Sequence, residues 1–222
     1  SGNCIVGLDV SDRDVWSYSF TFGKKGERLG ATGGDSLNSE TIDKDRMKDG
    51  LKQVVNVDYN KTESIERIII HRDGELLNEE KEGLEQALNE LNEESDVVDD
   101  DTELIALDIR KSTAYRLFDA EDEDNMDQPK TGSFVQIDES TGLLTTLGKP
   151  FVSQGTSNPI LISVEMANCN YDLRELAKDI LYLSELNWMN PTRNMRIPVT
   201  IRFAEAVADM REEGLEVSDI AL

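Results

Sequence analysis

Ile68-Ile69-Ile70, followed at once by His71-Arg72-Asp73-Gly74, constrains this chain more than any other stretch. Three consecutive β-branched apolar residues predict a buried strand, and Gly74 predicts the turn that ends it. Asp73 then stands at the carboxyl-terminal edge of the strand, where open α/β sheets place their ligands. An acid at that position is either turn chemistry or an active-site carboxylate. Length does not restrict the choice, because 222 residues suffice for one large α/β domain with a sizeable core.

Upstream, residues 3–10 (Asn-Cys-Ile-Val-Gly-Leu-Asp-Val) read as a second buried strand. Val15 to Phe22 alternates Trp16, Tyr18, Phe20 and Phe22 with small or polar residues, a half-buried strand, and Glu27 to Thr32 reads as a third in an antiparallel meander. Gly33-Gly34-Asp35-Ser36 is expected to be a loop. Ile42 to Val55 carries a helical apolar period, as does Leu77 to Leu91, whose Glu-rich side reads as a solvated face only. Leu104 to Ile109 and Thr113 to Phe118 are expected to pair as strands, with an acidic loop from Asp119 to Lys130 after them. Gly132 to Ile137 and Leu143 to Leu147 fit a hairpin, and Pro159 to Val164 another buried strand. Helices are expected over Asp172 to Leu186 and from Pro198 to about Glu213, the latter opened by proline and stopped by Gly214. A leading meander followed by alternating strands and helices predicts a mixed sheet flanked by helices, an order that suits a ribonuclease H-like α/β core. Neither an internal repeat nor a low-complexity linker interrupts the chain, so one domain is the simplest expectation.

Asp plus Glu total 46 against 23 Lys plus Arg, a net charge of −23. Such a surface repels nucleic acid at ordinary salt. A cationic partner, partial disorder and a salt-loving source all account for such a balance. Regular apolar periods argue against disorder, and the spread of acids over helix faces and loops favours a halophile. In molar salt the Debye length is only about 3 Å, so local basic contacts then decide binding and a nucleic-acid partner stays open. The chain begins Ser1-Gly2 and turns apolar almost immediately, which reads as a domain taken from a longer protein behind a short cloning remnant. No signal peptide pattern and no apolar run of membrane-spanning length is present in the sequence, so a cytoplasmic location and no membrane partner are expected. Cys4 and Cys169 are expected to be free, buried thiols. With one histidine and two cysteines, soft metal ligands are too few for zinc, and any metal would be held by oxygen.

Asp9 lies inside an apolar run, Leu8-Asp9-Val10, where an unpaired buried carboxylate is costly and calls for a partner. In a ribonuclease H-like sheet the strands carrying Asp9 and Asp73 are neighbours, so the two acids are expected to converge near one rim. Convergent carboxylates can hold a pair of Mg²⁺ ions on hard oxygen ligands, about 4 Å apart, for an in-line displacement at phosphorus.

These residues resemble a known family. Val6-Gly7-Leu8-Asp9-Val10-Ser11 and His71-Arg72-Asp73-Gly74 after an Ile run are similar to motifs of the PIWI domain of Argonaute proteins. Gln154-Gly155-Thr156-Ser157-Asn158-Pro159 resembles the Gly-Thr-x-x-Pro element of that family. Leu186-Asn187-Trp188-Met189-Asn190-Pro191 and Arg196-Ile197-Pro198-Val199-Thr200-Ile201-Arg202-Phe203-Ala204 resemble its closing strand end and helix. Four blocks occur in family order over nearly the whole chain, and the acidity makes it similar to a haloarchaeal-type prokaryotic Argonaute, of which it would be a C-terminal fragment.

The resemblance implies a guide-directed endonuclease that uses Mg²⁺ or Mn²⁺ to cut a strand paired to a short guide. It implies a catalytic set of Asp9, Glu40, Asp73 and Glu205, with Asp9, Asp73 and Glu205 on metal. Glu40 occupies the place of a mobile-loop glutamate, for which Glu27 is the other candidate, and Glu40 is equally readable as the acid of a helix start. Glu205 departs from the Asp or His usual in the family and is longer by one methylene. The resemblance also implies that His71 belongs to the strand-end motif without binding metal, while Arg72 reads as structural or backbone-contacting. Lys149, Thr156, Arg193, Arg196, Arg202 and Arg211 are candidate phosphate contacts to guide or target, each readable as ordinary surface. The apolar end Ile220-Ala221-Leu222 suits a family terminus tucked beside the guide 5′-phosphate. Companion Argonaute domains would hold much of the guide. A nucleic-acid-binding module without cleavage and an unrelated acidic interaction domain are the competing readings.

Overall fold

The computed structural model describes residues 2–10, 15–22, 28–35, 42–56, 64–120, 127–150, 157–186 and 195–213, the second and third strands and Glu212 by their backbone. Twelve elements occur in these residues: β1 (Gly2–Val10), β2 (Val15–Phe22), β3 (Arg28–Asp35), α1 (Lys44–Asn56), β4 (Ile65–Asp73), α2 (Asn78–Glu94), β5 (Glu103–Arg110), β6 (Phe134–Gln136), β7 (Thr141–Leu144), β8 (Ile160–Ala167), α3 (Leu173–Glu185) and α4 (Val199–Glu212). The chain divides into two compact units: Ser1–Leu107 with Glu165–Cys169 and Thr200–Leu222, and Asp108–Val164 with Asn170–Val199.

In the first unit the strands run in the order β3-β2-β1-β4-β5. The meander is antiparallel, with Val6 opposite Phe20 and Ser19 opposite Ala31. β1 and β4 are parallel, with Val6 opposite Ile70 and Leu8 opposite Arg72; the chain reaches β4 from β3 through α1, the long crossover that parallel strands need. Alternation along each strand then assigns the two faces. Cys4, Val6 and Leu8 of β1, Ile68 and Ile70 of β4, and Leu104 and Ala106 of β5 join Met47, Leu51 and Val54 of α1 and Leu84, Ala87 and Leu91 of α2 in one buried cluster. Each fully buried Leu or Ile in it contributes roughly 1.5–3 kcal/mol. Gly83 lets α1 and α2 close on each other: a Cβ there would lie 2.6 Å from the Lys44 carbonyl oxygen and 2.7 Å from Met47 Cβ.

Three expectations are corrected here. Gly33, Gly34 and Asp35 belong to β3, because the ladder with Ser17, Trp16 and Val15 outweighs the loop preference of glycine. The Glu-rich side of α2 is more than a solvated face: Lys44 meets Glu82 at 3.0 Å, Lys48 meets Glu90 at 3.1 Å, and Lys52 meets Glu90 at 2.7 Å and Glu94 at 2.8 Å, a ladder between two helices. Thr113 to Phe118 forms no strand. Tyr115 N–H donates to Thr113 Oγ1 and the Arg116 guanidinium to the Thr113 and Tyr115 carbonyls, so local bonds take the groups a ladder would use.

In the second unit β6 and β7 form the expected hairpin, shorter than its apolar pattern, and β7 pairs antiparallel with β8 through Leu144 and Ile160. Asp138 accepts from the Ser140 and Thr141 N–H groups across the turn, and the Ser140 bond first of all holds its carboxyl below the ordinary range. Asp172 caps α3 by accepting from Arg174 N–H at 2.8 Å, and Leu173, Leu176, Ala177, Ile180 and Leu183 form its buried stripe. Cys4 is buried and free, and burial pushes its thiol far up; Cys169 is also free but only half-buried.

Candidate active site

The face of β1 and β4 opposite the α1–α2 core carries Gly7 and Asp9 on one strand and His71 and Asp73 on the other. Gly7 pairs with His71 and Leu8 with Arg72, so the two acids each stand one residue beyond the last matched pair, at the carboxyl ends of adjacent parallel strands. Sequence reasoning places Asp9 in a buried run; it is half-buried, as is Asp73, because both strands end there.

α4 starts on this same face. A Cβ on Gly7 would lie 2.2 Å from the Thr200 carbonyl carbon and oxygen and 2.7 Å from Ile201 N, so only glycine admits the helix backbone this close to β1. His71 Nδ1 and Thr200 Oγ1 are 3.0 Å apart, tying the end of β4 to the first turn of α4. Burial lowers His71 to about 3, so the ring is neutral in any ordinary buffer. His71 thus packs its ring against Thr200 at the start of α4.

A measurable consequence concerns acid. The unfolded chain takes up a proton near pH 6.5 and the folded chain only near pH 3, so this contribution to stability is complete above about pH 6.5. It is lost as pH falls below that value, by up to about 1.4 kcal/mol per pH unit. Urea unfolding in EDTA between pH 7.5 and 5 should show a shallower pH slope for His71→Gln than for the native chain. Equal slopes would mean that the folded ring takes up the proton as readily as the unfolded one.

The end of β4 is held from the opposite side. Arg72 is 4% exposed; its Nε lies 3.5 Å from Glu80 Oε2, and another guanidinium nitrogen donates to the Asp73 carbonyl. Glu80 is 0% exposed and also accepts from Leu77 N–H at 3.0 Å and Ile42 N–H at 3.2 Å. Arg72 thus ties the end of β4 to the start of α2. Glu80 escaped the sequence reading although a signal exists: it is the third residue of α2, where Glu caps the helix start. Gly74 turns the chain with φ +97°, which glycine adopts readily.

The other expected site residues lie on α4, in the second unit or outside the described residues. Glu205, on the second turn of α4, has Arg202 Nη1 3.6 Å from its carboxylate, with the Arg202 side chain 64% exposed. Arg211 is half-buried in the last turn of α4. In the second unit Lys149 pairs with Asp127, and the Arg196 guanidinium donates to the Lys111 carbonyl, so both are engaged within the fold. Glu40, its rival Glu27, Thr156, Arg193 and the end Ile220–Leu222 lie outside the described residues.

Asp9 and Asp73 offer hard carboxylate oxygens on one face, a donor chemistry that fits Mg²⁺ or Mn²⁺. Among the described residues, no group of three or more His, Cys, Asp or Glu side chains is placed to hold a metal ion, so these two would need a further ligand. No described helix is long and apolar enough to cross a membrane.

Comparison with known proteins adds two findings. Residues 5–216 match the family model of the Piwi domain. Among solved structures, the Argonaute of Clostridium butyricum bound to a guide DNA and a 19-mer target DNA superposes with a TM-score of 0.72 at 15% identity, over 96% of this chain and 27% of that one. This likeness shows the fold, a ribonuclease H-like mixed sheet flanked by helices, and the chain spans only 27% of the length of that Argonaute. No curated protein sequence matches.

Proposed function

Since the chain belongs to the Piwi domain family, we propose that it is the PIWI domain of a prokaryotic Argonaute and a guide-directed, Mg²⁺- or Mn²⁺-dependent endonuclease domain. The observation that carries this reading is the placement of Asp9 and Asp73 at the ends of neighbouring parallel strands, on the face where α4 begins. Asp9 and Asp73 hold the metal ions, Glu40 supplies a further carboxylate and Glu205 the fourth. A divalent metal held there would supply Lewis-acid stabilisation of charge on the phosphoryl group and activation of water for attack. Arg72 and Gly74 fix the backbone at Asp73, while neutral His71 and Gly7 seat α4 against both strands.

The partners are a short guide nucleic acid, its complementary strand and the companion Argonaute domains, a reading supported by the guide and target DNA in the Clostridium butyricum complex. Arg202, with its exposed guanidinium, is the foremost phosphate contact among Lys149, Thr156, Arg193, Arg196, Arg202 and Arg211. The 46 acids against 23 basic residues support a halophilic setting, in which screening permits these contacts; an archaeal source and a cytoplasmic location complete this reading. The Arg202–Glu205 pairing favours a second reading, a module that binds guide and target without cutting, because that carboxylate already faces a cation.

Incubation with a guide and a labelled complementary strand in molar KCl tests both readings. Cutting at one position with Mn²⁺ and none with EDTA is expected. Guide-dependent binding without cutting would favour the second reading, and no guide binding at any salt would overturn both.

A further inference from the structure

We propose that Glu80 is a positioning residue for Asp73, an inference that rests on reading Asp73 as a metal ligand. Glu80 sits on α2, on the other side of the sheet from the candidate site, yet its carboxylate gathers donors from three separate segments. These are the Ile42 N–H ahead of α1, the Leu77 N–H at the start of α2 and the Arg72 guanidinium at the end of β4. Helix capping explains only the Leu77 bond. A helix cap is ordinarily solvated, whereas this carboxylate is 0% exposed and faces an arginine that is itself 4% exposed.

A buried carboxylate without a cation is costly, so Arg72 is bound to remain beside it. Arg72 is thereby aimed at the residue that follows it, and its guanidinium donates to the Asp73 carbonyl. The path from Glu80 through Arg72 fixes the Asp73 backbone just before the Gly74 turn. Alternation along β4 then sends the Asp73 side chain to the opposite face, toward Asp9. A strand end without this clamp would fray, as strand ends that lose their ladder partners do. The Asp73 carboxylate would then sample many positions and a metal would bind it less tightly.

Glu80→Gln keeps the size and one acceptor oxygen but removes the charge that holds Arg72. Leu91→Ala, in the core at the far end of α2, is the control for general loss of stability. Two readouts separate positioning from stability: hydrogen exchange at the Asp73 to Glu75 amides and Mn²⁺ affinity by calorimetry on the full chain. Glu80→Gln is expected to speed exchange at these amides at least tenfold more than Leu91→Ala and to weaken Mn²⁺ binding about tenfold, while the control binds Mn²⁺ like the native chain. Native-like exchange at Asp73 to Glu75 in Glu80→Gln would overturn the inference. If Glu80→Gln does not fold, Arg72→Lys, which keeps the charge pair but loses the donor geometry toward Asp73, should raise exchange at the same amides, and unchanged exchange there would overturn it equally. Failure of the native chain to bind Mn²⁺ would remove the metal reading of Asp73, and exchange alone would still decide whether Glu80 holds the strand end.

Discussion

Cleavage by an Asp9→Ala, Asp73→Ala double variant is expected to fall at least about a thousandfold below the native chain at saturating Mn²⁺, with guide binding retained. Bound metal is worth several kcal/mol of transition-state charge stabilisation, and each 1.4 kcal/mol is about tenfold in rate, which sets that scale. Both carboxylates are half-buried at strand ends, so their removal should leave the packed faces of β1 and β4 intact and the folded fraction unchanged. Glu205→Gln should cost less, since that side chain already shares Arg202. Gel analysis of target cleavage beside a guide-binding titration separates chemistry from binding. Native-level, metal-dependent cutting by the double variant would sink the assignment of the site.

Gly7→Ala should produce the largest loss of stability of any single methyl addition among the described glycines. Its Cβ would stand 2.2 Å from the Thr200 carbonyl carbon and oxygen, and these are helix backbone atoms that cannot rotate away. Overpacking ordinarily costs about 1–3 kcal/mol, and a clash against backbone belongs at or above the upper end. For a chain of this size about 3 kcal/mol lowers the melting temperature by roughly 6–12 °C. Displacement of α4 should also break the His71–Thr200 bond, so the pH slope attributed to His71 should diminish in the same variant. An unchanged melting temperature would mean that α4 does not rest on β1. Gly74→Ala is the contrast: nothing lies within 4 Å of its Cβ, and its cost comes from backbone strain at φ +97°.

The elements that were easiest to read have an apolar period with a single solution. The Ile68–Ile70 run is apolar on both faces of its strand, the Val15 to Phe22 stretch alternates, and α1, α2 and α3 each carry one apolar stripe, and each forms where its pattern predicts. Patterning failed where long-range pairing decides. Gly33 to Asp35 has no strand propensity but lies opposite β2, while Thr113 to Phe118 has the propensity and closes on itself through local bonds. The glutamates of α2 look alike in sequence. One is buried beneath Arg72, three pair with the lysines of α1, and only the position of α1 makes that distinction.

The sequence alone determined the strand that ends in Asp73, the turn at Gly74, the acid in the Leu8-Asp9-Val10 run and the order of blocks that points to the Piwi family. These are local properties, set by periodicity, by the steric freedom of glycine and by the cost of an acid among apolar neighbours. The expected adjacency of the Asp9 and Asp73 strands is met by β1 and β4, but only the tertiary structure decided their register, that α4 begins on the face the two acids share, and that Glu80 and Arg72 brace the strand end from behind. Those facts depend on which strands pair and how closely a helix approaches a glycine. Both are contacts between residues far apart in the chain, and no local pattern encodes them.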